Sequence, residues 1–426
     1  MRRVVIIGAG AAGTMAAIFA ARAGAHALLL ERTKDGGRKI LISGGGRCNV
    51  LPSKIDERRF VTDSSPNTLR KIVRSWPLAD QIRFFEDEVG IRLEEEVETA
   101  KLFPASHRAR DVRDGLLALA QRSGVEVRMD TLVTSLEPDG TEWVIGVAGA
   151  DVLRADAVIV ATGGLSVPNT GSDGAGLSML RAMGHTMHPT YAALTPITDT
   201  PSAFSELSGI SLRVSLTATS PAREATASGG FLFTHHGYSG PSVLNVSHVP
   251  VRARADGDAT GAADIQVQWT GHDEPAWNAL LQRGGTRQVS SVVRHELPDR
   301  LADVLMAQAQ VEPTRKLAEL TRDERRRLVD VLVRGALPWN GDEGYKKAEV
   351  TGGGVALSEV DARTMESRRT PGLFLCGEVL DAFGPIGGYN FLWAWVTGRA
   401  AGTAAGMTPA GTTARSCAPT STRTSN

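Results

Sequence analysis

The chain has 426 residues, 42% of them hydrophobic and 22% charged, a balance that excludes a disordered chain and suits two or three globular domains. Lysine and arginine number 47, as do aspartate and glutamate, so no net charge draws the chain toward nucleic acid or a membrane surface. No apolar run is long enough to span a bilayer, and the three widely spaced cysteines, Cys48, Cys376 and Cys417, fit a reducing cytoplasm rather than a disulfide framework.

Residues 4–7 (Val-Val-Ile-Ile) are a short apolar run of the kind that makes a parallel strand buried on both faces. The sequence Gly-Ala-Gly-Ala-Ala-Gly follows at 8–13. Gly8 permits the turn out of the strand, Gly10 lacks the side chain that would block a pyrophosphate, and Gly13 lets the next helix lie close to the sheet. At the helix start, Ala11 and Ala12 offer free backbone N–H groups and the positive end of the helix dipole to phosphates. The small residues Ala16, Ala17, Ala20 and Ala21 serve the same close packing, and Gly24 suits a C-terminal cap. A second strand then ends in Glu31, where an acid hydrogen-bonds ribose hydroxyls, with Arg32 next to it. The fingerprint glycines and this acid argue against reading the Arg2-Arg3 start as a secretory signal peptide.

Residues 39–49 read Lys-Ile-Leu-Ile-Ser-Gly-Gly-Gly-Arg-Cys-Asn. Gly44, Gly45 and Gly46 suit a loop whose backbone passes tightly against a ligand. Arg38, Lys39 and Arg47 are candidates to neutralise pyrophosphate charge, and Ser43 and Asn49 to donate hydrogen bonds. Cys48 reads as a loop residue beside the cofactor; without a Cys-x-x-Cys or Cys-x₄-Cys pair, disulfide-reductase chemistry is excluded.

Residues 111–123 read as an amphipathic helix, and 125–147 as a hairpin turning at Pro138-Asp139-Gly140. Another buried strand at 158–161 runs into Thr162-Gly163-Gly164, which makes Ala161, Thr162 and Gly163 candidates for a second approach to the phosphates. A helix is expected at 175–183. From 188 to about 270 short strands rich in Thr, Ser and Val dominate, followed by helices at 285–296, 299–310 and 322–334. Thr321 and Glu324 form a capping box for the last of these. Glycine-rich motifs resume at 347. A late strand at 373–376 leads to Gly377 and Glu378, an acid placed to bond ribityl or phosphate-side groups. Gly387 and Gly388 then open a helix whose free N–H groups, from Asn390 through Phe391 to Leu392, are placed to face the N1–C2=O edge of a flavin and stabilise its reduced form.

The expectation is an α/β fold: a two-dinucleotide-binding-domain (Rossmann-like) FAD fold split by a β-barrel plus helical insert. The FAD domain is discontinuous, 1–187 and 346–406. The β-barrel-like insert covers 188–275, the helical insert 276–345, and a disordered tail 407–426. With no second complete Gly-x-Gly-x-x-Gly, NAD(P)H is expected to dock only transiently. The loop at 234–241 (Thr-His-His-Gly-Tyr-Ser-Gly-Pro) is the first candidate for proton transfer or substrate contact, through His235 and Tyr238, with Lys347 second. Two adjacent histidines without a nearby Cys or acid do not make a metal site, and none is expected.

The motif Ile-Ser-Gly-Gly-Gly-Arg-Cys-Asn, behind the first glycine turn, carries a family resemblance. So do Leu-Phe-Pro-Ala-Ser (102–106), Ala-Thr-Gly-Gly (161–164), Phe-Thr-His-His-Gly-Tyr-Ser-Gly-Pro (233–241) and Lys-Ala-Glu-Val-Thr-Gly-Gly-Gly-Val (347–355). Cys-Gly-Glu-Val-Leu-Asp (376–381) and Gly-Gly-Tyr-Asn-Phe-Leu-Trp-Ala-Trp (387–395) complete it. The chain resembles the HI0933-like or aminoacetone-oxidase-family (BaiN-like) bacterial FAD-binding flavoproteins over nearly its whole length except the tail. Phe383-Gly384-Pro385-Ile386 departs from the family's more polar, glycine-rich turn. The resemblance implies an FAD-dependent oxidoreductase, first of all one that reduces a conjugated C=C or C=N bond of a small molecule with hydride from flavin N5 and electrons from NAD(P)H. It also leaves open a flavin-dependent reduction of uridine in RNA, for which Arg108, Arg110, Arg113, Arg368 and Arg369 would supply a basic surface, and an amine or aminoketone oxidase. A non-enzymatic reading, FAD as a structural or sensing ligand, predicts a flavin that neither NAD(P)H nor substrate reduces.

Overall fold

The structure is a computed structural model that describes residues 1–202, 204–255, 263–282 and 284–407. The expected tail, apart from Met407, lies outside the described residues. At the centre is a five-stranded parallel sheet in the order Leu373–Leu375, Ala157–Val160, Arg3–Ile7, His26–Leu30, Glu126–Arg128. Its central strands are apolar runs because helices and loops cover both faces. The helix Ala11–Arg22 follows the first glycine turn, and Gly24, at φ +94°, closes it as expected.

The alanines of that helix have a partner the sequence reading did not name. The last helix, Tyr389–Gly406, lies directly on it, with Gly398, Gly402 and Gly406 set against Ala12, Ala16 and Ala20. A Cβ on Gly402 would collide with the Ala16 carbonyl. Small residues every fourth position on both helices let the two backbones touch, so Ala16 and Ala20 serve helix–helix packing.

An antiparallel sheet of Val133–Asp139, Glu142–Val147 and Leu153–Ala155 contains the expected hairpin, and a second small sheet joins Leu51–Pro52, Lys101–Pro104 and Leu93–Glu96. The chain leaves the cofactor-side core on Met187–Ala193 and returns on Val350–Val355, which pair antiparallel. Between them a separate hydrophobic core forms around Phe204, Phe231, Phe233, Tyr238 and Trp269. Its seven-stranded antiparallel sheet runs from Gly335–Ala336 at one edge to Gly341–Asp342 at the other. These edges do not pair with each other among the described residues, so the expected closed barrel is not confirmed.

The helix Arg322–Arg334 carries the expected capping box: Glu324 N donates to Thr321 Oγ1 (3.2 Å) and Thr321 N to Glu324 Oε2 (2.9 Å). The helix expected from 285 begins instead at Val289, because Gly285 holds a left-handed φ of +69°. Pro241–Val246 and His248–Ala255 are helical where the sequence suggested loop and strand; Pro241 occupies the first helical turn, where its missing N–H costs nothing. No helix among the described residues is long and apolar enough to cross a membrane.

Candidate functional site

A cleft of about 400 Å³ opens at the C-terminal ends of the parallel strands, where ligands of open α/β sheets bind. Its geometry starts from three glycines with three jobs. Gly8 takes φ +102°, and a Cβ there would lie 2.6 Å from Ala161 O. A Cβ on Gly13 would overlap the Gly8 carbonyl oxygen, so Gly13 holds helix against turn and does not line the cleft. Gly10 has an ordinary φ of −80° and nothing within 4 Å of its Cβ position; it keeps the cleft open. As N-cap it has no side chain to satisfy the first-turn N–H groups, so those of Ala11 and Ala12 are presented to the cleft. Glu31 is 7% exposed and already accepts from Ala9 N (2.8 Å), Thr33 N (2.9 Å) and Thr33 Oγ1 (2.8 Å). These bonds aim a carboxylate with spare lone pairs into the cleft.

The second glycine cluster explains itself in backbone terms. Gly44, Gly45 and Gly46 take φ of +55°, +68° and +85° in succession, a path open to glycine alone. Gly46 does not line the cleft. Ser43 Oγ donates to Ile40 O (2.7 Å), and the Asn49 amide lies between Leu51 O and Gly388 N, so both brace backbone.

The expected cations are paired with the chain's own acids. Arg32 bonds Asp173, Arg38 bonds Asp35 (2.7 Å), and Arg47 bonds Glu96 (3.0 Å) while its guanidinium stacks 4.2 Å from the Phe103 ring centre. Lys39 Nζ donates to Ser166 Oγ (2.6 Å) and Glu378 Oε2 (2.7 Å). Glu378 also accepts from Ser166 Oγ (2.6 Å) and Thr351 N (2.9 Å), joining three segments of the cleft wall. Burial pushes its carboxyl up, but the Lys39 charge and these hydrogen bonds outweigh that and hold it below the usual range. Glu378, read from sequence as a ligand to ribityl or phosphate-side groups, thus binds the cleft wall through both oxygens while, like Glu31, lining the cleft with lone pairs to spare.

At the far end, Gly387 and Gly388 are left-handed at φ +127° and +86° and start the last helix. Asn390 clamps that turn, its amide exchanging two 2.9 Å bonds with the Gly384 backbone. Leu392 N is used by Gly388 O (2.9 Å) and its side chain is buried, so the first-turn N–H groups are those of Tyr389, Asn390 and Phe391 rather than Asn390 to Leu392. Phe383 lines the same end; its backbone pairs with Val61, and its ring stands edge-on to Tyr191 (6.3 Å) and His248 (5.7 Å). Behind it, Asp63 receives Arg252 (2.5 Å) and Arg223 (2.8 Å), tying the inserted core to the cofactor side.

The proton-transfer candidates do not gather here. His235 is exposed, 3.3 Å from Ser208 Oγ, and Lys347 is exposed; neither lines the cleft. Tyr238 is fully buried among the aromatics of the inserted core, donates to Asp199 Oδ2 (3.2 Å), and burial raises its hydroxyl well above the ordinary value. Sequence alternation along 235–238 carries no information about which core a side chain joins. Among the cleft-lining residues missed are Lys101, Phe103 and Glu349. Lys101 and Glu349 stand beside or inside motifs already noted, at 102–106 and 347–355, but no periodicity marks them. Cys48 is buried with its thiol pushed up to about 12, so it stays protonated and inert. No group of side chains suited to a metal exists among the described residues.

A dinucleotide fits this geometry: an open floor at Gly10, uncapped helix starts at both ends, and an aimed carboxylate at Glu31. The family model described as the HI0933-like protein Rossmann domain matches residues 2–404. The chain is 32% identical over 405 residues to the ribosomal RNA dihydrouridine synthase of Escherichia coli (strain K12), covering 92% of this chain and 94% of the relative. It is 29% identical over 418 residues to the 3-dehydro-bile acid delta(4,6)-reductase of Clostridium scindens, covering 96% and 100%. Among solved structures, the fold is shared with 3-ketosteroid delta1-dehydrogenase from Sterolibacterium denitrificans at TM-score 0.52 and 12% identity, covering 95% of this chain and 100% of that one. Fold, cleft and full-length similarity agree on an FAD-dependent enzyme, and the chain belongs to the HI0933-like family of FAD-binding oxidoreductases.

Proposed function

We propose that this oxidoreductase adds hydrogen across the C5=C6 bond of uridine in RNA, giving dihydrouridine, with electrons from transiently docked NAD(P)H. The observation that carries the reading is similarity over more than nine-tenths of both chains to an enzyme named for that reaction. The chemistry is that of any conjugated enone: hydride adds to one carbon and a proton to its neighbour. FAD, when bound, supplies the hydride. The chain's own part is to hold and orient. Gly8, Gly10, Ala11, Ala12, Gly163 and Glu31 would take the pyrophosphate and ribose, with residues 1–187 and 346–406 as the cofactor domain. Gly387, Gly388 and the N–H groups of Tyr389 to Phe391 would face the flavin end, where a helix start stabilises the reduced, anionic form by about 0.3–2 kcal/mol. Paired cations leave the phosphates to backbone N–H groups.

Of the arginines considered for RNA, Arg113 bonds Asp114, Arg368 faces Asp361 and Arg369 bonds Glu359, which leaves Arg108 and Arg110 as exposed basic side chains. A second reading, reduction of a conjugated C=C bond in a small apolar molecule, is favoured by the bile-acid reductase relative and by the apolar turn at Phe383 and Ile386. The test is direct. FAD-loaded protein is given NADPH or NADH and an unmodified ribosomal RNA transcript, and the digested nucleosides are weighed. Dihydrouridine with salt-sensitive RNA binding supports the first reading; turnover of small enones with unchanged RNA overturns it in favour of the second.

A further inference from the structure

Glu349 sits where the chain returns from the inserted core. Its N–H donates to Leu194 O (3.1 Å), and Val350, next along, is buried in that core. Glu349 stands just before the strand Val350–Val355, and both it and Val350 line the cleft. Lys101 reaches the same space from the strand Lys101–Pro104, its Cε 3.8 Å from where a Cβ on Gly387 would stand. This is the end away from the first glycine turn. Gly398 packs on Ala12, and the nine steps back to Tyr389 rise about 13 Å. Lys101 therefore stands beside the helix start assigned to the flavin end, with Glu349 within electrostatic reach of it.

The other acids lining the cleft are spoken for: Glu31 by Ala9 and Thr33, Asp173 by Arg32, Glu378 by Lys39, Ser166 and Thr351. Glu349 faces Lys101 and Lys39, yet among the described residues its carboxyl has no hydrogen bond and no ion pair within 4 Å. Lys39 is committed to Glu378, and the Arg47–Glu96 pair flanks Lys101. Glu349 is exposed and its side chain opens to the cleft.

We propose that Glu349 is the proton donor of the double-bond reduction, with Lys101 as its positioning partner. The step balances simply. Hydride forms a C–H bond at the carbon β to the carbonyl; the π pair of the C=C bond takes the Glu349 proton at the α carbon. The substrate gains two electrons, NAD(P)H ultimately loses them, and the carboxylate regains a proton from water through the cleft. Burial raises the Glu349 carboxyl against the pull of Lys101 and Lys39, and burial lowers the Lys101 ammonium. A ligand that displaces water from the cleft strengthens both effects and favours the acid form.

This inference rests on the double-bond reading but not on RNA as substrate. FAD-loaded full-length wild type, E349Q and E349D are compared in two experiments. In the first, protein reduced anaerobically by NADPH is mixed with 2-cyclohexen-1-one or with the RNA transcript, and flavin reoxidation is followed. Glu349→Gln should keep FAD and its reduction by NADPH but reoxidise about a hundredfold or more slowly, with Glu349→Asp recovering part of the rate. Reoxidation of E349Q within about threefold of wild type overturns the proposal. In the second, infrared difference spectra of resting oxidised wild type against E349Q are followed with pH; the Glu349 carboxyl C=O band should persist above the ordinary glutamate range, and its loss at or below that range overturns the proposal whichever substrate is used. Wild type that reduces the enone and not the RNA sinks the RNA reading and leaves Glu349 to be judged by E349Q.

Discussion

Replacing Gly10 with alanine should leave the apoprotein slightly more stable than before and still weaken its hold on FAD. The backbone at Gly10 has φ −80°, which alanine adopts freely, and the added methyl meets nothing within 4 Å. Folded-state strain is therefore absent, and the smaller entropy of the unfolded chain adds about 0.4–1 kcal/mol of stability. The methyl does occupy the floor on which the pyrophosphate would lie. Overpacking there costs about 1–3 kcal/mol, which is a rise of roughly 5- to 150-fold in the Kd for FAD. Gly13→Ala is the contrasting case. Its methyl overlaps the Gly8 carbonyl oxygen, so the helix Ala11–Arg22 must move from the sheet, and the apoprotein itself loses about 1–3 kcal/mol. Urea unfolding of both apoproteins, with FAD titration by flavin fluorescence, separates the two. If Gly10→Ala binds FAD as tightly as wild type, or destabilises the apoprotein as much as Gly13→Ala, the division of labour between these glycines is wrong.

Lys39→Met should remove the charge that holds the Glu378 carboxyl low and destabilise the protein by about 3–5 kcal/mol at neutral pH, since it strands an enclosed carboxylate. The folded-state value of Glu378 is depressed, so its contribution is present above the unfolded value of about 4.3 and is lost as pH falls below that. The gap between wild type and variant in urea unfolding should narrow between neutral pH and the acid side of that value, and a gap independent of pH would refute the linkage. His235→Ala and Lys347→Ala, outside the cleft, should leave flavin reduction and reoxidation within about twofold of wild type, as stopped-flow absorbance would read. A tenfold loss in either would return that residue to the chemistry.

The cofactor end of the site was legible in the sequence because it is made of backbone. Gly8 and Gly13, and the run Gly44 to Gly46, follow from turn geometry and close approach, and the structure puts a left-handed φ or a collision at each of them, whereas Gly10 has ordinary backbone and leaves the cleft floor open. The capping box at Thr321 and Glu324 was legible for the same reason: its reach is three residues. What escaped depends on contacts between distant segments. The match of Ala12, Ala16 and Ala20 to Gly398, Gly402 and Gly406 appears only when the last helix is laid on the first. Lys39 and Glu378 lie far apart in the chain, so their pairing could not be read from either motif.

The same distinction bears on how the cleft treats charge. Arginines next to a phosphate motif invite the inference that they neutralise phosphate, but Arg32, Arg38 and Arg47 each meet an acid first. A cleft whose arginines are already paired has a weaker net field, and it can accept an anionic dinucleotide through oriented N–H groups. Against that quiet background one carboxyl without a hydrogen-bond partner among the described residues stands out. Glu349 lies where the two cores meet and lines the cleft. A carboxyl that opens to the cleft with no bond of its own is free to meet a substrate carbon, and burial that raises it favours the acid form; the two together are the physical ground for giving it the proton.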